Sequence, residues 1–543
     1  MDLRSISGNQ VAIWLALAVG LLVALVLGSA VGSADVRFVG AVLAVIPAAV
    51  IFSKLKTSIW VLIPIGWYLP GRLPWLPLPF SVRDLCLIAA IACFVVFILT
   101  RAITWKRKLT TLDYLVYINL AYLATVYVRN PAGFWAFQSS IVGGRAYFEI
   151  VLAFCAFLIL GRVQISDFTA RVFPLFFLVP AWSVALLDVV GRVNVQLGNT
   201  LNLIYGGVGT SGTFGAAEEV AEVGTTRLVS TAPAGLVAVL ALCSRYNPVT
   251  LISPLYPLRS LMLAVAFGAI FLSGYRSGFL GALVFFLLAA ILRRQLRQLW
   301  VVFGMSILAV VTLIILQGNV LQMPLTMQRT LSWLPADWDQ DAVSDAEYST
   351  QWRVDMWKWA WNDERVLRDK IWGQGFGFTI EDLYLIASAS AAGQSTSAML
   401  GGSDREQFMI TGTLHSGPLS SIKFIGIVGF VFYYFMLCYM AVLAWRICKR
   451  AMGTKGFTLA LFVGIPIIYE PFNFVVVYGA LDQNYPVLLF KAGLLIMTQR
   501  YVENLRPIVH GALEADYQVP ASPVPELQLM LRRQRIVPQP LSK

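Results

Sequence analysis

Runs of about 17 to 22 apolar residues recur along this chain, each long enough to cross a bilayer core of roughly 30 Å as an α-helix. Within hydrocarbon the backbone must satisfy its hydrogen bonds inside its own segment, so these runs are expected to be helices. Fourteen are legible, near 11–31, 37–52, 58–70, 84–100, 110–127, 144–161, 171–190, 228–243, 256–273, 276–292, 299–317, 418–445, 456–470 and 484–499. The third is short and crowded by Pro64, Pro70, Pro74, Pro77 and Pro79, so it reads as a span or as a re-entrant piece. The expected fold class is therefore an all-α polytopic membrane protein of about 12–14 transmembrane helices. Among 543 residues, 58% are hydrophobic and 13% charged, a balance that excludes a soluble globular domain. The mean hydropathy of +0.72 agrees. The first run lacks a cleavage site and leads directly into a second, so it reads as a retained helix.

Four regions follow from this pattern: helices 1–11 over residues 1–317, a large loop over 318–414, helices 12–14 over 415–500, and a basic tail over 501–543. With the amino terminus in the cytoplasm, the inward connections collect Lys54 and Lys56, then Arg101, Lys106, Arg107 and Lys108, later Arg293, Arg294 and Arg297, and finally Arg446, Lys449, Arg450 and Lys455. This is the positive-inside pattern, and it puts both termini in the cytoplasm. Much of the net charge of +12 is then an orientation signal with affinity for anionic lipid, and it requires no nucleic-acid partner. The six cysteines lie in or beside spans without metal-ligand spacing, and no repeat of 20–50 residues is visible.

The short outward connections carry Arg37, Arg72, Arg83, Arg129, Arg145, Arg192, Arg227 and Arg276, and no lysine. Topology alone is indifferent to which cation is used. A phosphate site is not, because guanidinium offers a planar fork of donors for two oxygens. Snorkelling of arginine at span ends is the bland alternative. Arg145 and Arg276 lie at or within span ends, where charges usually face a polar cavity.

The loop of about 100 residues between the spans ending near 317 and starting near 418 is too long for a simple turn and reads as a cover over a site. Asp337, Asp339 and Asp341 in its acidic run suit either a solvated loop or a divalent metal; no metal or cofactor is expected. In QWRVDMWKWAWNDERVLRDKIWGQGFGF, at 351–378, Trp352, Met356, Trp359, Val366 and Leu367 recur at helical spacing, predicting an interfacial helix stopped by Gly373, Gly375 and Gly377. GQGFG follows no strand, so it reads as a turn and not as a nucleotide fingerprint. His415, one of two histidines, stands where the loop re-enters the membrane, either as a proton-handling group or as a structural one. Asp404 and Glu406 shortly before it are alternative bases.

In order along the chain, these pieces resemble the O-antigen ligase and O-antigen polymerase superfamily of bacterial envelope glycosyltransferases. The likeness rests on SGYRSGFLG around Arg276, on Arg353 and Trp357 running into GQGFG, and on His415 followed by GIVG at 426–429; VRDL, with Arg83 and Asp84, echoes an early family element. One departure is Ser416, where the family often has asparagine. The resemblance implies a GT-C-like fold in the bacterial inner membrane and inverting transfer of a glycan from undecaprenyl diphosphate to a glycan hydroxyl on the outer face. It implies no nucleotide or metal. Arg276 and Arg353 would hold the leaving diphosphate, His415 would orient or deprotonate the hydroxyl, and Arg145 and Arg83 would be secondary contacts to phosphate or sugar. Partners would be the lipid-linked oligosaccharide, the bilayer, and flippase or chain-length proteins. Polymerase and ligase both fit, with polymerase of an O-antigen or exopolysaccharide preferred. A transporter is the reading of another class, to which the intramembrane Asp188, Lys423, Glu470 and Lys491 would belong.

Overall fold

The computed structural model describes residues 56–74, 80–101, 108–134, 141–206, 228–295, 322–364, 366–379 and 414–505, with isolated positions at 139, 412 and between 300 and 317. The expected spans 11–31 and 37–52, most of 299–317, Asp404, Glu406 and nearly all of the basic tail lie outside these residues.

Helix dominates, and among the described residues five helical stretches are long and apolar enough to cross a membrane. Leu62–Trp67 (α1) is short and follows a 3-10 turn over Lys56–Val61, so the proline-rich third run does not extend over 58–70 as one helix. Val82–Leu99 (α2) and Thr111–Arg129 (α3) begin at capping boxes, in which the Ser81 and Thr110 side chains trade hydrogen bonds with Asp84 and Asp113 three residues on. The two-residue strand Ile141–Val142 (β1) leads into Gly144–Leu160 (α4), Asp167–Val172 (α5), Leu175–Val193 (α6) and Val195–Ile204 (α7). Thr231–Arg245 (α8), Pro248–Ile252 (α9), Pro257–Leu272 (α10) and Arg276–Leu292 (α11) follow. The loop region contributes Leu325–Leu331 (α12), Gln340–Asn362 (α13) and a second short strand, Phe378–Thr379 (β2), antiparallel to β1. Gly417–Ala451 (α14), Phe457–Phe472 (α15) and Leu481–Asn504 (α16) close the bundle.

Small residues bring the helices together. A Cβ on Gly493 of α16 would press on Phe157 and Leu160 of α4, and one on Gly235 of α8 would overlap Ala266 and Ile270 of α10. Polar contacts also fasten the core. Lys491 Nζ lies 2.5 Å from Glu470 Oε2, joining α16 to α15, and Asp188 of α6 accepts from Ser230 Oγ at 2.5 Å beside Arg192. Buried charges survive only when paired in this way, so Glu470, Lys491 and Asp188 hold helices together.

The bundle has two chemically distinct ends. At one, the starts of α2, α4, α14 and α16 meet: Arg83 pairs with Glu149, and Leu481 N donates to Ser420 Oγ. At the other, Arg500 donates to Gly161 O, Arg450 faces Glu503, Lys455 faces Asp167, and Arg293 donates to Ser244 O.

The helix in the loop differs from its sequence expectation. It runs from 340 to 362 and stops eleven residues before Gly373. Asp339, part of the acidic run, is its N-cap, accepting from Asp341 N at 2.9 Å. Val366 and Leu367, expected on this helix, lie in the turn beyond it. They are buried with Met356, Ala360, Leu414 and Ile422 in a small apolar cluster of their own.

Candidate functional site

Arg276 is the first residue of α11, preceded by Gly274 at φ +70°. Its Nη2 reaches across to α13, donating to Ala346 O at 2.7 Å and to Thr350 Oγ1 at 3.2 Å. Two turns further along α13, Trp357 Nε1 donates to Leu414 O at 3.0 Å, the carbonyl just before His415. Residues 346, 350, 353 and 357 are spaced by four, three and four, so they form one stripe along the helix. Arg353 therefore lies on the stripe between the Arg276 contact and the anchor beside His415. It is half-buried and has no hydrogen-bond or ion-pair partner among the described residues. Arg276 and Arg353 thus share one face of α13, whereas the His415 ring packs on Trp352, about a third of a turn round the helix from that stripe.

His415 is 8% exposed and packs edge-on between the rings of Trp352, 5.6 Å away, and Tyr478, 5.3 Å away. Its backbone adopts φ +48°, a left-handed conformation that costs a non-glycine residue about 1–2 kcal/mol. Such strain persists where the surroundings over-determine it, often at functional positions. Ser416 follows as the N-cap of α14, its hydroxyl accepting from Leu419 N. Serine and asparagine are equivalent N-caps, so the departure at this position preserves the local fold.

The two glycine motifs form one device. Gly426 interrupts α14 at φ 70°, ψ 175°. The freed carbonyls of Lys423 and Phe424 accept from Gln374 N at 3.0 Å and Gly375 N at 2.9 Å, and Ile425 O accepts from Tyr122 Oη at 2.8 Å. In the other direction, Ile427 N donates to Lys370 O at 2.8 Å. A break in a membrane helix is tolerated when protein groups re-satisfy the backbone, and here GQGFG does so. A Cβ on Gly373 would overlap the backbone of Ile425 and Gly426, so the glycines serve close backbone approach.

Arg83 and Arg145 are brought together, through a residue that sequence reading missed. Glu149 accepts from Arg83 Nη2 at 2.6 Å and from Arg145 Nε at 3.0 Å, one arginine on each oxygen. Asp84, almost fully buried, is the second carboxylate of the group, 3.6 Å from Arg83 Nε and 3.7 Å from Arg145 Nη2. Among the other outward arginines, Arg129 donates to Trp372 O and stacks near its ring, and Arg192 pairs with Asp188. Those two fasten structure.

Arg329 of α12 also went unrecognised. It is 6% exposed, and its Nη1 donates to Gly274 O at 3.3 Å, beneath Arg276. A guanidinium inside the otherwise uncharged run LQMPLTMQRTLSWLP was the available signal. Asp482, in the first turn of α16 ahead of its apolar stretch, is the third omission. Burial pushes its carboxyl up to about 6, against backbone hydrogen bonds from Gln483 and its own N–H; Glu149 adds to the rise and the Lys423 ammonium opposes it. Among the described residues, no group of three His, Cys, Asp or Glu side chains is placed to hold a metal ion.

The described residues form a helical protein with five stretches long and apolar enough to cross a membrane, and a candidate site in which Arg276 donates to α13 and the His415 ring packs on Trp352. No protein-family model and no curated protein sequence matches the chain.

Proposed function

We propose that the protein is a membrane glycosyltransferase of the O-antigen polymerase and ligase type, moving a glycan from undecaprenyl diphosphate to a glycan hydroxyl at the outer face of the bacterial inner membrane. The observation that carries this reading is the convergence of Arg276, Arg353 and His415 on α13. In the proposed step the acceptor oxygen bonds to the anomeric carbon as the bond from that carbon to the diphosphate breaks. The electron pair leaves on the diphosphate, where charge builds up. Arg276 and Arg353 stabilise that charge, which is catalysis because it is greater in the transition state than in the bound substrate. His415 orients the hydroxyl and takes its proton. The diphosphate replaces Ala346 O and Thr350 Oγ1 as the partner of Arg276, so α13 reports on occupancy. The site end then faces outward, both termini lie in the cytoplasm, and the full chain has about 12–14 spans.

A polymerase is preferred over a ligase, and a deletion strain separates them. Single repeats left on the acceptor support a polymerase; long chains accumulating on the carrier support a ligase. The transport reading loses ground because Glu470, Lys491 and Asp188 are paired within the core.

The direct test reconstitutes the purified protein with its lipid-linked glycan and measures glycosidic bond formation. Arg276→Ala and His415→Ala are expected to lower the rate by about 100-fold or more, with Arg276→Lys restoring only part. Wild-type rates in Arg276→Lys, Arg353→Lys and His415→Ala together, at unchanged expression, overturn the proposal.

A further inference from the structure

Every cation in residues 223–336 is an arginine, and no aspartate or glutamate lies among them. Three of these arginines bind carbonyls: Arg276 that of Ala346, Arg329 that of Gly274, and Arg293 that of Ser244. Arg245 and Arg259 differ. Among the described residues neither guanidinium has a hydrogen-bond or ion-pair partner; both lie against tyrosine rings instead.

The hairpin between α8 and α10 builds this arrangement. Arg245 is the last residue of α8, and Tyr246 caps it with its N–H bonded to Leu242 O. Asn247 and Pro248 then start α9, and Pro257 starts α10, with Arg259 in its first turn. The Arg259 guanidinium comes to lie 4.4 Å from the Tyr246 ring centroid and 4.3 Å from that of Tyr256, while Arg245 is 5.9 Å from the Tyr246 ring. Tyrosine faces fix the guanidinium planes but do not neutralise them. Two cations on one ring repel each other. The amino-terminal dipole of α10 adds to the positive potential, and no acidic residue stands in that first turn to offset it. An anion is what this position lacks, and the guanidinium fork matches phosphate oxygens.

The surface beside the pair says which phosphate. On α10, Leu258, Leu261, Met262 and Val265 recur at helical spacing, each at least 49% exposed. This stripe starts beside Arg259 and runs along the helix into the apolar part of the bundle. Any bilayer-facing helix shows such a stripe; the uncompensated cation pair at its head singles this one out. Arg293, bonded to Ser244 O next to Arg245, places the pair at the end opposite His415, where headgroups meet helix termini. A soluble phosphate would use only the cations, whereas a phospholipid uses the cations and the stripe together.

We propose that Arg245 and Arg259, held on Tyr246 and Tyr256, bind the phosphodiester of an anionic phospholipid whose acyl chains lie along α10. The site stands apart from glycan transfer and does not depend on it. Bound there, the lipid ties α8 to α10 at the end away from His415.

The test is native mass spectrometry of the full-length protein in detergent, with equal amounts of phosphatidylglycerol and phosphatidylcholine of the same chains. Phosphatidylcholine has the same phosphodiester but brings its own cation. The wild type is expected to bind phosphatidylglycerol about fivefold or more tightly, and Arg245→Gln with Arg259→Gln to bring the two lipids within about twofold of each other. Arg259→Lys, which keeps the charge and loses the fork, retains part of the preference. Arg450→Gln removes an exposed cation at the same end and is expected to leave the preference intact. An unchanged unfolding midpoint in neutral lipid shows that the variants are folded; if Arg259→Gln does not fold, the wild-type preference and the exposed Arg245→Gln decide. The site is overturned if the wild type shows no preference, if the double variant keeps it, or if Arg450→Gln lowers it as much, which would mean diffuse surface charge only. Displacement of phosphatidylglycerol by glycerol 3-phosphate at equal concentration would make it a soluble-anion site and overturn the lipid assignment.

Discussion

At the scale of single residues, the informative charges are those held at a cost. Asp482 has its carboxyl pushed from 3.8 to about 6, so between those pH values the folded protein holds more protons than the unfolded chain. Stability attributable to this group therefore falls as pH rises from about 4 to 6 and stays lower above that, by up to about 3 kcal/mol. Asp482→Asn removes the penalty. The variant is expected to unfold a few degrees higher than wild type at pH 7.5, with the gap closing at pH 4, as followed by thermal unfolding in detergent; a lower midpoint at pH 7.5 would show that the carboxylate is well solvated or paired. Arg276 was legible in the sequence because a charge inside an apolar run is conspicuous. Glu149 and Asp482 were not, because nothing local sets them apart from ordinary helix-end acids. Glu149 has Arg145 one turn away on its own helix, but its second arginine, Arg83, comes from α2, and Lys423 reaches Asp482 from α14, so that convergence is a property of packing.

At the scale of elements, the junction of residues 370–375 with the break at Gly426 decides whether α13 can sit over the site. Gly373 and Gly426 both have positive φ and face each other's backbone. Alanine at either position meets strain and overlap at once, so Gly373→Ala and Gly426→Ala are expected to destabilise by about 2–4 kcal/mol, read as a lower unfolding midpoint and poorer yield. Gly453→Ala is the contrasting control: it has a similar φ but open space around it, so it should carry the strain without the overlap. A second element-level expectation concerns Trp357, whose indole donates to Leu414 O. Trp357→Phe keeps most of the buried area and loses about 1 kcal/mol of hydrogen bonding. It should increase protease cleavage within 340–362 while global stability changes little, and unchanged cleavage would mean that the apolar cluster alone seats the helix. The helices at 82–99 and 111–129 were legible to within two residues from apolar length alone, and their caps, Ser81 and Thr110, fit those ends. The start of α13 was not, because its opening turns are acidic and Asp339 hides as a cap within a run that reads as solvated loop.

At the scale of the whole molecule, the two ends carry different chemistry, and the proposed function requires a definite orientation. Arg162, Arg293, Arg450, Lys455 and Arg500 lie at the end opposite His415, bound to carbonyls or facing carboxylates at helix termini. Cations concentrated at one end retain that end in the cytoplasm during insertion, which would turn α13 and the site outward. Sequence and structure carry different parts of this statement: the sequence supplies the charge bias, and the folded bundle shows that connections far apart in the chain share an end. Cysteine accessibility tests the orientation directly, in a background whose six native cysteines are replaced by serine. Trp333, 62% exposed near α13, and Arg450, whose side chain is 65% exposed at the opposite end, are suitable reporters. Trp333→Cys is expected to react with a membrane-impermeant maleimide in spheroplasts, and Arg450→Cys only after permeabilisation. The reversed pattern would place the His415 end in the cytoplasm, where Arg276 could not meet a diphosphate carrier presented on the outer leaflet, and the transferase reading would fail with the orientation.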